Sequence, residues 1–210
     1  MAHDNWRQGC YLVALGIGSL IRVWGALRQS RAEVVLSRET AADLALIALA
    51  SVGLVILPLA QVFTSWLDFA DWGLGRGAAL ALGAAGAAVF GAALWLLWRA
   101  HADIGRHWSK YLQIREGHRL VTDGVYARIR HPIYAAHWLW AAAQVLLLQN
   151  WVAGPALLVT FAPIYWWRVR REERMMIEHF GDAYRSYMRC TGRVLPRAGG
   201  NEPPGGDAEA

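Results

Sequence analysis

The segment Gly117-His118-Arg119-Leu120-Val121-Thr122-Asp123-Gly124-Val125-Tyr126 is polar, basic and rich in turn residues, and Arg130-His131-Pro132-Ile133-Tyr134 follows it almost at once. Arg168 and the pair Glu172-Glu173 come later, just past the last apolar run. Each group suits a distinct chemistry. Gly117 and Gly124 bracket a short Leu-Val stretch whose backbone N–H and C=O groups are free to meet the edge of a planar ligand. Pro132 is pre-set for the first position of a helix, which puts His131 at the cap. A helix N-terminus attracts anionic groups, such as a carboxylate of substrate or cofactor. A carboxylate at Glu172 or Glu173 can hold an ammonium, and Arg168 can hold a carboxylate or phosphate. Ionisable residues gathered at a membrane surface point to a site rather than to a requirement of the fold. Plainer readings stand beside these. The first block also suits a loop whose glycines make turns and whose arginines meet lipid headgroups. The second also suits a solvated face with an Arg168–Glu172 pair at i,i+4.

The elements that must position these residues read as membrane helices. The chain is 56% hydrophobic and only 18% charged, too apolar for an ordinary soluble domain of 210 residues. Leu44 to Trp66 and Gly77 to Trp98 are free of charge and span roughly 33 Å each as helices, enough for a hydrocarbon core. Ile133 to Trp167 is also uncharged, but one helix of that length would run about 52 Å. Gln149-Asn150 and Gly154-Pro155 split it into a tight hairpin. The stretch from Cys10 to Leu27 supplies a first span, with Arg22 snorkelling from its last turns. The expectation is therefore an all-α integral membrane protein with about five transmembrane helices, over residues 10–27, 44–66, 77–98, 133–148 and 151–167. They form one domain over 1–197, and a Gly/Pro/acid-rich tail over 198–210 is expected to be disordered.

Nineteen of the 21 basic residues fall on one side of these spans; only Arg7 and Arg76 fall on the other. The positive-inside rule then puts the N-terminus outside, and the C-terminus and both polar blocks in the cytoplasm. Arg supplies all basic residues but Lys110, which with heavy Ala and Gly use fits a GC-rich genome and a bacterial inner membrane. Trp24, Trp66, Trp95, Trp98, Trp151, Trp166 and Trp167 cluster at run ends as an aromatic belt. Gly83, Ala87 and Gly91 form a small-residue face on the third span. Beyond Trp167, the recurrence of Met175, Met176, Phe180, Tyr184 and Tyr187 predicts an amphipathic cytoplasmic helix, broken at Gly181. The N-terminus lacks the pattern of a cleavable signal peptide.

Other features are weaker. Cys10 and Cys190 support neither a disulfide framework nor a metal site. Gly73-x-Gly75-x-x-Ala78 matches a loose dinucleotide fingerprint but follows no strand. His101 and His107 lack a third ligand at metal spacing, His137 reads as a buried, hydrogen-bonded histidine, and Asp103, Arg106 and Trp108 lie where a pocket entrance would be. No metal and no nucleic acid are expected.

In their order, these residues resemble the isoprenylcysteine carboxyl methyltransferase and phospholipid methyltransferase superfamily of integral membrane enzymes. The resemblance runs from about Gly105 to Pro196. It rests on Gly105-Arg106-His107-Trp108-Ser109, Gly117-His118-x-Leu120-Val121-x-x-Gly124-x-Tyr126, Arg130-His131-Pro132-x-Tyr134, Arg168-x-x-x-Glu172-Glu173, Phe180-Gly181-x-x-Tyr184-x-x-Tyr187 and Leu195-Pro196. It implies S-adenosylmethionine as cofactor, bound at the cytoplasmic face over 105–134 and 168–196 without a Rossmann domain. His118, Leu120 and Val121 would meet its adenosine part, largely through backbone, and Tyr126, His131, Pro132 and Tyr134 would line its pocket. Glu172 or Glu173 would hold the methionine ammonium, and Arg168 would orient the acceptor's carboxylate; Arg168 and Glu173 are the catalytic candidates. Ala136 departs from the family's frequent Gly and would narrow the pocket or alter the hairpin packing. The acceptor implied is lipophilic or small, with a carboxylate, thiol or amine as nucleophile, and it enters between spans from the lipid. Two further readings stay open. One is an NADPH-dependent sterol-type reductase, whose Arg-His-x-Asn-Tyr stretch this chain approaches but with Ile133 in place of Asn. The other is a non-catalytic small membrane protein.

Overall fold

The computed structural model describes residues 6–29, 33–37, 40–105, 113–115, 117 and 119–197. Helix α1 (Trp6–Leu27) leads to strand β1 (Val34–Ser37) and then α2 (Ala41–Ser51). A π-turn over Val52–Ile56 joins α2 to α3 (Leu57–Phe63), and α4 (Arg76–Ile104) follows. Strand β2 (Gln113–Arg115), α5 (Pro132–Leu148) and α6 (Ala156–Cys190) complete the order. The expected helical class holds, with one addition: β1 and β2 pair antiparallel, Val34 opposite Arg115 and Ser37 opposite Gln113.

Three helical stretches are long and apolar enough to cross a membrane: Trp6–Leu27, Ala41–Phe63 and Arg76–Ile104. The last two expected spans look different. Helix α5 has 17 residues, about 25 Å. Helix α6 does not stop at Trp167 but runs on for 35 residues, with non-helical backbone only at Gly181. The hairpin between them is present. Gln149 closes α5 in the left-handed conformation, and Asn150 Oδ1 accepts from the backbone of Val152 and Ala153. The predicted break at Gly181 is there too, but none separates the apolar from the charged half of α6. Pro163 removes one ladder hydrogen bond, yet neither it nor any glycine or cap residue at Trp167 ends the helix, and the arginine- and glutamate-rich turn that follows favours its continuation.

The helices are fastened by buried polar groups. Thr40 and Asp43 form a capping box at the start of α2. Arg171 Nη1 donates to Asp43 Oδ2 at 2.7 Å, tying that cap to α6. The π-turn frees backbone carbonyls for distant partners. Gln144 Nε2 donates to Gly53 O at 3.0 Å and to Ala153 O at 2.7 Å. The Tyr11 hydroxyl lies within hydrogen-bond reach of both Leu54 O and Gln144 Oε1. Around these groups Tyr11, Phe90, Trp140, Leu147 and Leu157 make the apolar core.

The expected small-residue face on α4 is corrected in part. A Cβ on Gly83 would lie 2.8 Å from Arg7 of α1, and one on Gly86 would lie 2.9 Å from Leu146 of α5. Gly91 faces open space. Helix α4 packs against two neighbours on different sides, so its close contacts do not follow one i,i+4 line.

Candidate functional site

The site begins where α4 ends. Asp103 Oδ1 accepts from Arg99 Nη2 at 2.7 Å, and its Oδ2 accepts from the backbone N–H of Val125 at 2.9 Å. Gly124 sits against this carboxylate with φ +56°, and a Cβ there would lie 2.3 Å from Asp103 Oδ2. Only glycine meets both demands. The turn Gly124–Ala127 carries buried Tyr126 inward. Its backbone carbonyl accepts from the Tyr187 hydroxyl at 2.7 Å, which joins the loop to the far end of α6.

A second fastening holds the entry to α5. Pro132 opens the helix with His131 at its cap. The chain beyond α6 runs alongside: Arg130 N–H donates to Gly192 O and His131 N–H to Arg193 O, both at 2.9 Å. Between these strands of backbone lies Glu173, only 5% exposed. Its Oε1 accepts from His131 Nε2 at 3.3 Å, Arg130 Nη2 at 3.3 Å and Arg193 Nε at 3.1 Å; its Oε2 accepts from Arg193 Nη2 at 2.5 Å. Burial opposes ionisation of this carboxyl. The hydrogen bonds from His131 and Arg193, and their charges, outweigh it and hold the group down at about 2. The bond to Glu173 in turn raises Arg193 above its ordinary value.

Between the two fastenings opens a cleft. Ile104, Leu120, Val121 and Met176 supply apolar wall, Tyr126, Tyr184 and Tyr187 phenolic wall, and Arg119, Arg130, His131 and Glu172 charge. Glu172 is the carboxylate among these lining residues, and its Oε2 accepts from the Tyr134 hydroxyl at 3.2 Å. Burial pushes the phenols of Tyr126, Tyr184 and Tyr187 up, so they stay neutral.

Of the residues singled out in the sequence, Leu120, Val121, Tyr126, His131 and Glu172 line this cleft. Pro132 starts the helix at its edge and Tyr134 reaches in through Glu172. Glu173 lies behind the wall among Arg130, His131 and Arg193. Arg168 is half-buried on α6, one helical turn before Glu172 and not among the lining residues. His118 lies outside the described residues, as do Arg106, His107 and Trp108. Asp103 anchors the loop rather than an entrance. His137 is buried against Arg22, and Ala136 is buried within α5.

Sequence reasoning missed Ile104, Arg119 and Met176 as lining residues, Tyr184 and Tyr187 as walls, and Arg193 as partner of Glu173. The signal for the aromatic and Met residues was their helical spacing, read as the apolar face of an amphipathic cytoplasmic helix. Phe180, Tyr184 and Tyr187 instead pack with Leu120 and Met176. No local signal marked Arg193, because its partner lies 20 residues earlier across a chain reversal.

Residues 84–178 match the model of the isoprenylcysteine carboxyl methyltransferase (ICMT) family. A protein-S-isoprenylcysteine O-methyltransferase of Schizosaccharomyces pombe is 36% identical over 79 residues, which are 38% of this chain and 34% of that one. The protein of the same name from Homo sapiens is 34% identical over 79 residues, 38% of this chain and 28% of that one. The matched stretch thus spans about a third of the length of these curated relatives. A solved structure of the eukaryotic intramembrane Ras methyltransferase ICMT aligns with 77% of this chain and 54% of its own, at a TM-score of 0.44 and 23% identity. The resemblance read from the sequence is borne out over residues 84–178.

Proposed function

We propose that this chain is a membrane-embedded methyltransferase that uses S-adenosylmethionine and acts on a lipophilic acceptor at the cytoplasmic face of a bacterial inner membrane. One observation carries the reading: a single cleft gathers Leu120, Val121, Tyr126 and His131 around one inward-facing carboxylate, Glu172. The similarity of residues 84–178 to the ICMT family supports it. The residues present fit the cofactor. Backbone at Leu120 and Val121 would meet the adenine edge, three neutral phenols would wall the nucleoside, and Glu172 would hold the methionine ammonium. Glu173 does not face the cleft; it braces Arg130, His131 and Arg193 and so keeps the wall rigid.

When bound, S-adenosylmethionine supplies a sulfonium methyl, whose carbon–sulfur bond breaks towards sulfur as an acceptor lone pair forms the new bond. No general base is obligatory for an acceptor that is already an anion. The protein's part is to hold and orient, which can contribute roughly 7–11 kcal/mol to such a reaction. Glu172, tethered by Tyr134, fixes one end of the cofactor. Arg168, one turn away on α6, orients an acceptor's anionic group. The relatives' names point to the carboxylate of an isoprenylated cysteine as acceptor, and a similar lipophilic acid fits equally.

The test is calorimetric titration of the detergent-purified protein with S-adenosylhomocysteine, with NADPH in parallel. Saturable one-site binding of the nucleoside and none of NADPH is expected. Folded protein that binds NADPH instead is a reductase, and one that binds neither is not an enzyme of this kind.

A further inference from the structure

A charged residue lies half-buried between α1 and α5, outside the cleft. Arg22 Nη1 sits 3.0 Å from His137 Nε2. His137 Nδ1 lies 2.7 Å from Ile133 O, a carbonyl that only accepts, so Nδ1 carries the proton and Nε2 accepts from Arg22. His137 is 7% exposed and stacks on Phe161. Among the described residues no carboxylate pairs with Arg22. Both residues lie five positions inside their helix ends, about 7–8 Å deep. Among the described residues Arg22 is held by a neutral imidazole and by no carboxylate, and a guanidinium so placed marks a site rather than a need of the fold.

Its position relates it to the cleft. Tyr134 is three residues before His137, on the same face of α5, and its hydroxyl binds Glu172. One face of α5 therefore carries a link to the cleft and, one turn deeper, the partner of Arg22. Arg168 lies within Coulombic reach of both Arg22 and Tyr134. Two guanidiniums so placed attract an anion that arrives from the lipid side.

We propose that Arg22 binds the anionic head of the acceptor, with His137 as the positioning residue that aims its guanidinium and Arg168 as the second cation. The inference rests on the methyltransferase reading and deepens it by naming a second residue, on α1, that recognises the acceptor's anionic head. Arg22 belongs to α1, outside the stretch matched to the family.

The experiment uses the full chain in lipid nanodiscs, with two probes that differ only in charge: N-acetyl-S-farnesylcysteine and its carboxamide. The wild type should bind the carboxylate about tenfold more tightly than the amide, and Arg22→Met should bring the two within about twofold. Binding of S-adenosylhomocysteine should be unchanged, and the Tm of Arg22→Met should not fall, because no carboxylate among the described residues pairs with this half-buried charge. A structural role for Arg22 would instead lower Tm and leave the probe ratio alone. If Arg22→Met does not fold, Arg22→Lys decides: a several-fold loss of carboxylate preference supports the assignment and an unchanged ratio overturns it. No preference in the wild type, or full preference in Arg22→Met, also overturns it. Wild type that prefers the carboxylate but ignores S-adenosylhomocysteine would sink the methyltransferase reading and leave the anion site standing.

Discussion

Glu172 and Glu173 are neighbours in the chain and opposite in surroundings. Glu172 faces the cleft, half-buried, with the Tyr134 hydroxyl on its Oε2 at 3.2 Å. Glu173 is turned away by the helical rotation of about 100° per residue. There it is buried and held by Arg130, His131 and Arg193. The first carboxylate keeps acceptor capacity for a ligand cation; the second has committed both oxygens to the protein.

Their neutral variants should therefore differ in kind. Glu172→Gln should weaken S-adenosylhomocysteine binding at least tenfold, for loss of an ion pair of about 1.5–3 kcal/mol, with little change in Tm. Glu173→Gln should cost about 3 kcal/mol of stability, because Arg130 and Arg193 would face each other without a counter-charge. Calorimetry and thermal unfolding of both variants check this, and equal losses of affinity would contradict the division of roles.

Acid should act through Glu173. Its folded value of about 2 lies below the ordinary glutamate value. A depressed carboxyl contributes stability that is present above its unfolded pKa and lost as pH falls through the folded one. The wild type should lose about 3 kcal/mol between roughly pH 5 and pH 2 from this group alone. Glu173→Gln should show a correspondingly flatter acid limb in thermal unfolding; parallel curves would rule the assignment out.

Gly124→Ala should damage the loop that carries Tyr126. The backbone there has φ +56°, and the new Cβ would press on Asp103 at 2.3 Å. Strain of about 1–2 kcal/mol from the backbone is added to the clash. Both nucleoside affinity and proteolytic resistance of the loop should fall. Asp103→Ala in the same background should restore part of the loss by making room, which a purely backbone effect would not allow.

Arg168→Ala should reduce turnover of a carboxylate acceptor more than it reduces S-adenosylhomocysteine affinity, since Arg168 is not among the residues lining the cleft. Equal loss in kcat and in cofactor binding would contradict the role given to it.

The parts legible in the sequence are those encoded by neighbours a turn or two apart. The three long spans follow from apolar runs, broken only by Arg22 in the first, the hairpin from Gln149-Asn150 and Gly154-Pro155, the start of α5 from Pro132, and the kink from Gly181. The segment from Gly117 to Tyr126 was legible as a candidate site because its two glycines and its polarity have no use in a membrane core. The length of α6 was not, because a helix continues wherever nothing stops it, and a change from apolar to charged residues does not stop it. Nor did the stripe of Met176, Phe180, Tyr184 and Tyr187 reveal which surface it covers, since spacing defines a face but not its partner.

What the sequence by itself determined is the set of apolar spans and the turns between them, because hydrophobic length and backbone preference act locally. Which of two adjacent carboxylates faces the cleft, and that Arg22 meets His137, were decided only in the tertiary structure. Those outcomes depend on the rotation of α6 against α5 and on the return of residues 192–193 beside residues 128–131. Rotation and return are set by packing between segments tens to more than a hundred residues apart.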